Sequence, residues 1–174
     1  MTIAATLKTY LDQRAVAYGV VTHPPAASSL RTAEAAHRPG HRVAKAVVVG
    51  DEQGYLVVVV PAPYPVDLGQ LHRQFGRRLG LATEPELAPL FPDCEPGVVP
   101  AFGEAYGLET LWDRALWEEP ELFLEGGDHQ TLVRIPQAEL QKVLGSVRSG
   151  RFSHLPSPPQ RRQRNRSIPD ENAS

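Results

Sequence analysis

Val43-Ala44-Lys45-Ala46-Val47-Val48-Val49 and Tyr55-Leu56-Val57-Val58-Val59-Val60 flank the spacer Gly50-Asp51-Glu52-Gln53-Gly54. Two runs dominated by β-branched residues, joined by five turn-forming ones, predict a central β-hairpin. Lys45 is the one charged side chain in the first run. A lysine there either reaches solvent from a sheet edge, where it blunts aggregation, or sits in a cleft where its ammonium meets an anion or a carbonyl. Strand alternation puts Lys45, Val47 and Val49 on one face and Ala44, Ala46 and Val48 on the other. The small alanines beside the lysine leave room for a ligand.

On the N-terminal side, Ile3, Leu7, Tyr10 and Leu11 mark one stripe of an amphipathic helix, with Thr2 available as its N-cap. Residues 18–22 read as a short strand that Pro24-Pro25 stops, because proline cannot donate to a ladder. A short helix is expected around residues 32–37. On the C-terminal side, Asp67 caps a helix whose Leu68, Leu71 and Phe75 face the core, and Thr83-Glu84-Pro85-Glu86 matches a capping box. After a proline- and glycine-marked segment over 92–103, residues 108–112, 121–125 and 131–135 read as strands. Pro136 then occupies the N1 position of a last helix running to about Leu144. Strands and helices mix without regular βαβ spacing, so an α+β domain with a mixed sheet is expected rather than a doubly wound one.

The 174 residues, 41% hydrophobic, suit one domain with a real core. We place that domain at 1–154. Residues 155–174 hold Pro156, Pro158, Pro159 and the run Gln160-Arg161-Arg162-Gln163-Arg164-Asn165-Arg166, and their lack of apolar anchors predicts a disordered basic tail. The formal charge of −2 conceals an asymmetry, since residues 152–174 carry four arginines and two acids while 14 basic and 18 acidic groups precede them. Cys94 is the single cysteine, which excludes an internal disulfide framework and a cysteine-rich zinc site and fits a reducing compartment. No apolar run approaches the roughly 20 residues needed to cross a bilayer, and residues 2–11 lack the pattern of a signal peptide, so a soluble cytoplasmic protein is expected. No surplus apolar helix face stands out, which favours a monomer.

Several segments could carry chemistry. Gly97-Val98-Val99-Pro100, followed by Ala101-Phe102-Gly103, reads either as a plain loop or as a stiffened one whose backbone N–H groups bind a carbonyl or phosphate oxygen. His129 in Gly126-Gly127-Asp128-His129 and His23 before Pro24-Pro25 are either turn histidines or groups facing a cleft, and Asp113 after Leu111-Trp112 is either a cap or a site residue. Cys94 could be a nucleophile, but Asp93 and Glu95 beside it disfavour the thiolate. The chain has no phosphate-loop, dinucleotide-binding, His-Glu-x-x-His or Gly-x-Ser-x-Gly motif. Metal and nucleotide chemistry lose support accordingly.

The ordered set of His23 at a strand end, Ala44-Lys45-Ala46-Val47, Val66-Asp67-Leu68, Gly97-Val98-Val99-Pro100, Asp113 and Gly126-Gly127-Asp128-His129 resembles the YbaK family. These aminoacyl-tRNA deacylase domains are related to the editing insertion of bacterial prolyl-tRNA synthetase. The likeness covers roughly residues 3–145 and implies a mixed, barrel-like sheet surrounded by helices. It also implies trans-editing hydrolysis of the ester joining a wrong amino acid to the 3′ end of a tRNA, with no metal or other cofactor. By resemblance Lys45 positions the terminal adenosine phosphate or the ester, the Gly97, Val98, Val99 and Pro100 loop surrounds the aminoacyl group, and a water attacks. His23, Ala46, Phe102, Asp113, Gly127 and His129 are carried over as substrate-binding, His129 at the position where some free-standing members have a histidine that limits pocket size. The chain departs from pattern in having two residues between Gly97 and Pro100 where the family loop has three, with Pro96 standing where the first glycine would fall.

The implied partners are a mischarged tRNA and a prolyl-tRNA or other synthetase, with no membrane. Because the body is net negative, tRNA would be gripped by a local basic face, for which Arg38, Arg42, Arg73, Arg77 and Arg78 are the candidates; the tail either adds salt-sensitive attraction or is simply a solvated terminus. Two readings compete with hydrolysis at Lys45: a module of the same fold that binds aminoacyl-tRNA or a small ligand without cleaving it, and a thiol hydrolase built on Cys94.

Overall fold

Pairing between the two valine-rich runs organises the chain around it. The computed structural model describes residues 3–26, 28–145 and 147–155. In order these form α1 (Ala5–Gln13), β1 (Gly19–Thr22), α2 (Ser29–Ala35), β2 (Val43–Asp51), β3 (Gly54–Pro61), α3 (Leu68–Phe75), β4 (Gly80–Leu81), α4 (Glu84–Leu87), β5 (Glu109–Asp113), β6 (Glu121–Glu125), β7 (Thr131–Pro136), α5 (Gln137–Leu144) and β8 (Arg148–Gly150), with short 3-10 turns between them. The architecture is α+β, as expected.

β2 and β3 pair antiparallel from Ala44 opposite Pro61 to Asp51 opposite Gly54. The strands therefore consume most of the expected five-residue spacer, leaving Glu52 and Gln53 as the turn. Gly54 with φ of 128° and a 2.8 Å bond from Gln53 N–H to the Asp51 carboxylate close it. The sheet continues outward in the order β1-β7-β6-β2-β3-β5-β8, with β4 lying against β2. The β2–β6, β3–β5 and β5–β8 pairs are parallel and the others antiparallel, so the sheet is mixed.

Alternation along the hairpin feeds two separate apolar layers. Ala44, Val48, Val57 and Val59 pack with Trp112, Leu124, Val133 and Ile135 beneath α1 and α5, while Val49, Val58 and Val60 pack with Leu111, Leu71 of α3 and Phe152. Each fully buried valine or leucine contributes about 1.5–3 kcal/mol relative to exposure. The hairpin is thus anchored from both sides.

Several boundaries differ from the sequence expectation. α1 begins at Ala5 with Ala4 at the cap, and Thr2 lies outside the described residues. α2 starts earlier than expected because the Ser28 hydroxyl accepts from Arg31 N–H. Pro136 is the cap of α5 and the last residue of β7 rather than N1. Thr83 and Glu86 do form the capping box, the Thr83 N–H donating to the Glu86 carboxylate at 2.6 Å. β4 and β8 have two and three residues, too few to show a period. The expected basic tail, apart from Leu155, lies outside the described residues.

Asp113 ends β5 at 2% exposure. Its carboxylate accepts from Ala115 N–H at 2.9 Å, Phe152 N–H at 2.9 Å and the Ser153 hydroxyl at 2.7 Å, fastening the C-terminal segment to the sheet. Asp113→Ala leaves these donors without an acceptor and is expected to lower unfolding free energy by about 3 kcal/mol in urea titration, whereas Ser153→Ala removes one donor and costs about 1 kcal/mol.

Candidate functional site

A cavity of about 300 Å³ opens where β2 loses its outer partner. β6 pairs with β2 only at Val43 and Ala44, and β4 only at Val49 and Gly50, with Ala82 N–H adding a bond to Val48 C=O. On the inner side, the bond from Ala62 N–H to Val43 C=O sets the antiparallel alternation, so Val43, Lys45 and Val47 bond toward β3. Ala46 must then turn its N–H and C=O the other way, into the interval between β6 and β4. Among the described residues no strand pairs with it there.

The cavity is lined by residues 45–48 of β2, Leu81 and Ala82, Leu87, Gly97 to Val99, Ala26, Ser28 and Ser29, Glu125 and His129. Lys45 is half-buried here, and no acid pairs with it among the described residues. Desolvation lowers its pKa below the ordinary lysine value, with no carboxylate opposing that shift. The result is an ammonium short of partners, beside an unpaired backbone donor and acceptor. Such a pair can hold an anion or polarise a carbonyl.

The opposite wall is the loop at Gly97. Glu95 N–H donates to Gly127 C=O at 2.8 Å, and the His129 ring donates from Nε2 to Pro96 C=O at 2.7 Å, so the Gly126–His129 turn clamps the loop. Gly97 takes φ of 83°, and a Cβ there would stand 3.6 Å from the His129 ring. Glycine keeps the backbone in this left-handed geometry without strain. His129 itself has φ of 44°, uncommon for a residue with a side chain.

Lys45, Ala46, Gly97, Val98, Val99 and His129 therefore border one cavity. The other residues singled out in the sequence lie elsewhere. Pro100 is buried behind the loop, and Phe102 is a core residue with its ring 5.7 Å from both Tyr10 and Trp112. Gly127 is packed so tightly on α1 that a Cβ would sit 3.0 Å from Ala4 Cβ. Asp113 follows Trp112, which pairs with Val59 next to the Lys45–Val60 pair, but its carboxylate is already occupied by Ala115, Phe152 and Ser153 and it does not line the cavity. His23 is buried beside Glu125, its Nδ1 bonded to Pro24 C=O at 2.7 Å and its Nε2 without a partner.

Glu125 is the cavity residue that the spacing of residues 121–125 does not reveal. It is 8% exposed; Thr32 donates to Oε1 at 3.3 Å, and Oε2 has no partner among the described residues. Its position after Leu122-Phe123-Leu124 and before two glycines is the same kind of signal that marks Lys45, a charge at the edge of an apolar run. Among the described residues no group of three or more His, Cys, Asp or Glu is arranged to hold a metal ion.

The candidate basic face is partly neutralised. Arg42 pairs with Glu119 at 3.2 Å, and Arg77 pairs with Asp51 at 2.8 Å, holding that carboxyl down at about 2. Arg38 lies over the Phe123 ring at 4.9 Å, and Arg38, Arg73 and Arg78 are all exposed. No helix among the described residues is long and apolar enough to cross a membrane.

The sequence matches the family described as aminoacyl-tRNA editing domain over residues 23–143. No curated protein matches it. Among solved structures, one described as a candidate trans-editing enzyme for prolyl tRNA synthetase is 25% identical, with 87% of this chain and 96% of that chain covered and a TM-score of 0.75. A scaffold from computational epitope backbone grafting is 24% identical over 87% of this chain and 96% of its own, with a TM-score of 0.74. A hypothetical protein, APE2540, is 19% identical over 86% and 99%, with a TM-score of 0.75. The last two likenesses concern the fold alone.

Cys94 lies behind the Gly97 loop, outside the Lys45 cavity, with its thiol 3.5 Å from the Tyr106 hydroxyl and 3.8 Å from the Asp93 carboxylate. Burial, reinforced by the Asp93 charge, pushes the thiol up to about 11. Iodoacetamide at pH 7.5 is accordingly expected to alkylate the folded protein at least ~10-fold more slowly than the urea-unfolded chain, because the thiolate is the reacting species. Mass spectrometry over time measures both rates.

Proposed function

The chain belongs to the aminoacyl-tRNA editing domain family, and we propose that it is a free-standing deacylase that hydrolyses the ester of a mischarged tRNA in the Lys45 cavity. The observation that carries this reading is the unpaired ammonium set in a gap of the sheet, facing a clamped loop. An aminoacyl ester is already activated, so positioning and charge stabilisation suffice without a covalent nucleophile. Cys94, half-buried outside the cavity and with its thiol pushed up by desolvation, is poorly suited to supply one.

In this mechanism the Lys45 ammonium holds the terminal adenosine phosphate or the ester oxygen. A water adds to the acyl carbon, Ala46 N–H and Val99 N–H stabilise the developing oxyanion, Val98 N–H being held by Glu95 C=O at 3.1 Å, and the acyl C–O bond breaks. The 3′ oxygen leaves with one proton of the attacking water, and the amino acid departs as its carboxylate, its acid proton passing to solvent. Ala46, Val48, Leu87, Val98 and Val99 give the cavity apolar walls, so selection is by size, the logic of a second sieve that admits what the synthetic site cannot reject. Leu81, 63% exposed at the rim, offers apolar surface to the adenine.

The 25% identity to a candidate trans-editing enzyme for prolyl tRNA synthetase supports action in trans beside such a synthetase. The protein works as a cytoplasmic monomer. Of the candidate arginines, Arg38, Arg73 and Arg78 are exposed and available for the tRNA backbone, together with the basic tail.

With a panel of mischarged tRNAs, at least one ester is expected to disappear faster in the presence of protein, and Lys45→Ala lowers kcat/KM about 100-fold or more. Equal persistence of every ester would overturn the reading, and binding without turnover would select a non-catalytic module. Thermal melting of Lys45→Ala is expected to hold or rise. Because the folded-state pKa of Lys45 lies below its unfolded value, the ammonium opposes folding at neutral pH, and that opposition fades as pH climbs through the folded value.

A further inference from the structure

Glu125 is the only carboxylate among the described residues lining the cavity, and the mechanism above gives it no task. A buried carboxyl with a free oxygen is costly unless a donor completes it. Thr32 supplies one donor to Oε1, and among the described residues no group reaches Oε2. The groups that face it from neighbouring elements are His23 at the end of β1, Thr32 on α2, and His129 and Asp128 in the turn after β6. Across the cavity stands Lys45, a cation that would repel another cation placed alone beside it.

Aminoacyl esters carry an α-ammonium within two bonds of the scissile carbonyl. A site that holds the carbonyl near a lysine must find that ammonium an anion, or bind the substrate against charge repulsion. We propose that Glu125 is the receptor for the α-ammonium of the aminoacyl group, so that the cavity selects free aminoacyl esters over N-acylated or hydroxyacyl ones. This rests on the deacylase reading and adds to it a chemical selectivity that size exclusion does not supply. Burial raises the Glu125 pKa in the empty site, chiefly by desolvation, and an arriving ammonium favours the ionised form.

The test compares two non-hydrolysable probes by calorimetry at pH 7: 3′-alanylamino-3′-deoxyadenosine and 3′-lactoylamino-3′-deoxyadenosine, which differ by an amine against a hydroxyl. The wild-type protein is expected to bind the amino probe at least ~10-fold more tightly. Glu125→Gln, which keeps the acceptor for Thr32, is expected to reduce that preference to less than about threefold while leaving the lactoyl probe's affinity unchanged. Equal wild-type affinities, or a preference that survives in a Glu125→Gln protein with a normal melting curve, overturn the proposal. Because the wild-type comparison needs no variant, misfolding of Glu125→Gln cannot rescue the idea. If neither probe binds, the proposal falls as well. The tRNA panel then separates the two readings, since continued cleavage of a mischarged tRNA preserves the deacylase and loss of cleavage removes both.

Discussion

The interval in which β2 has no outer neighbour is the constraint on which the site depends. β6 leaves the strand after Ala44 and β4 joins it only at Val49. The intervening backbone is paired to β3, whose Val57 to Val60 are fully buried, while among the described residues its other edge has no strand. A ligand can therefore meet unpaired peptide groups in a place that the protein cannot easily collapse. In an isolated edge strand such groups would bond to water or to another chain. Here the Gly97 loop, the start of α2 and the turn at His129 wall off the edge.

The charges in the cavity follow from the same arrangement. Lys45 sits on a strand anchored in two apolar layers, so its stem is confined and its ammonium loses solvent without gaining an acid. Glu125 ends the strand that departs from β2, and is buried by the divergence that creates the opening. Both groups cost the fold something when the site is empty, as binding sites often do. That cost becomes useful only if a ligand brings complementary charges, which an aminoacyl ester joined to a nucleotide phosphate does.

The loop and the turn that face Lys45 work as one unit. His129 bonds to Pro96, Glu95 bonds to Gly127, and Gly127 is pressed against Ala4 at the start of α1. The positive φ angles of Gly97, Gly127 and His129 lie within this unit. The two hydrogen bonds and the close packing on Ala4 hold the loop in place against α1. Phe102, Pro100 and Asp113 are near these elements or the sheet core but serve packing and anchoring; as sequence signals they resemble site residues because buried structural polar groups and glycine- or proline-rich loops look alike in one dimension.

Period-2 alternation, the turn residues and the capping motifs were enough to specify the hairpin, α3, the Thr83 box and strands β5 to β7, because each is a local pattern whose partner lies a few residues away. The charged residue inside an apolar run pointed to Lys45 for the same reason. Which strand stops pairing at Ala44, which two-residue strand resumes at Val49, that Glu125 shares the resulting cavity, and that Asp113 is spent on Phe152 and Ser153 were decided only by the tertiary structure. Those facts depend on contacts between segments some 30 to 80 residues apart, and no local periodicity records where one strand will part from another.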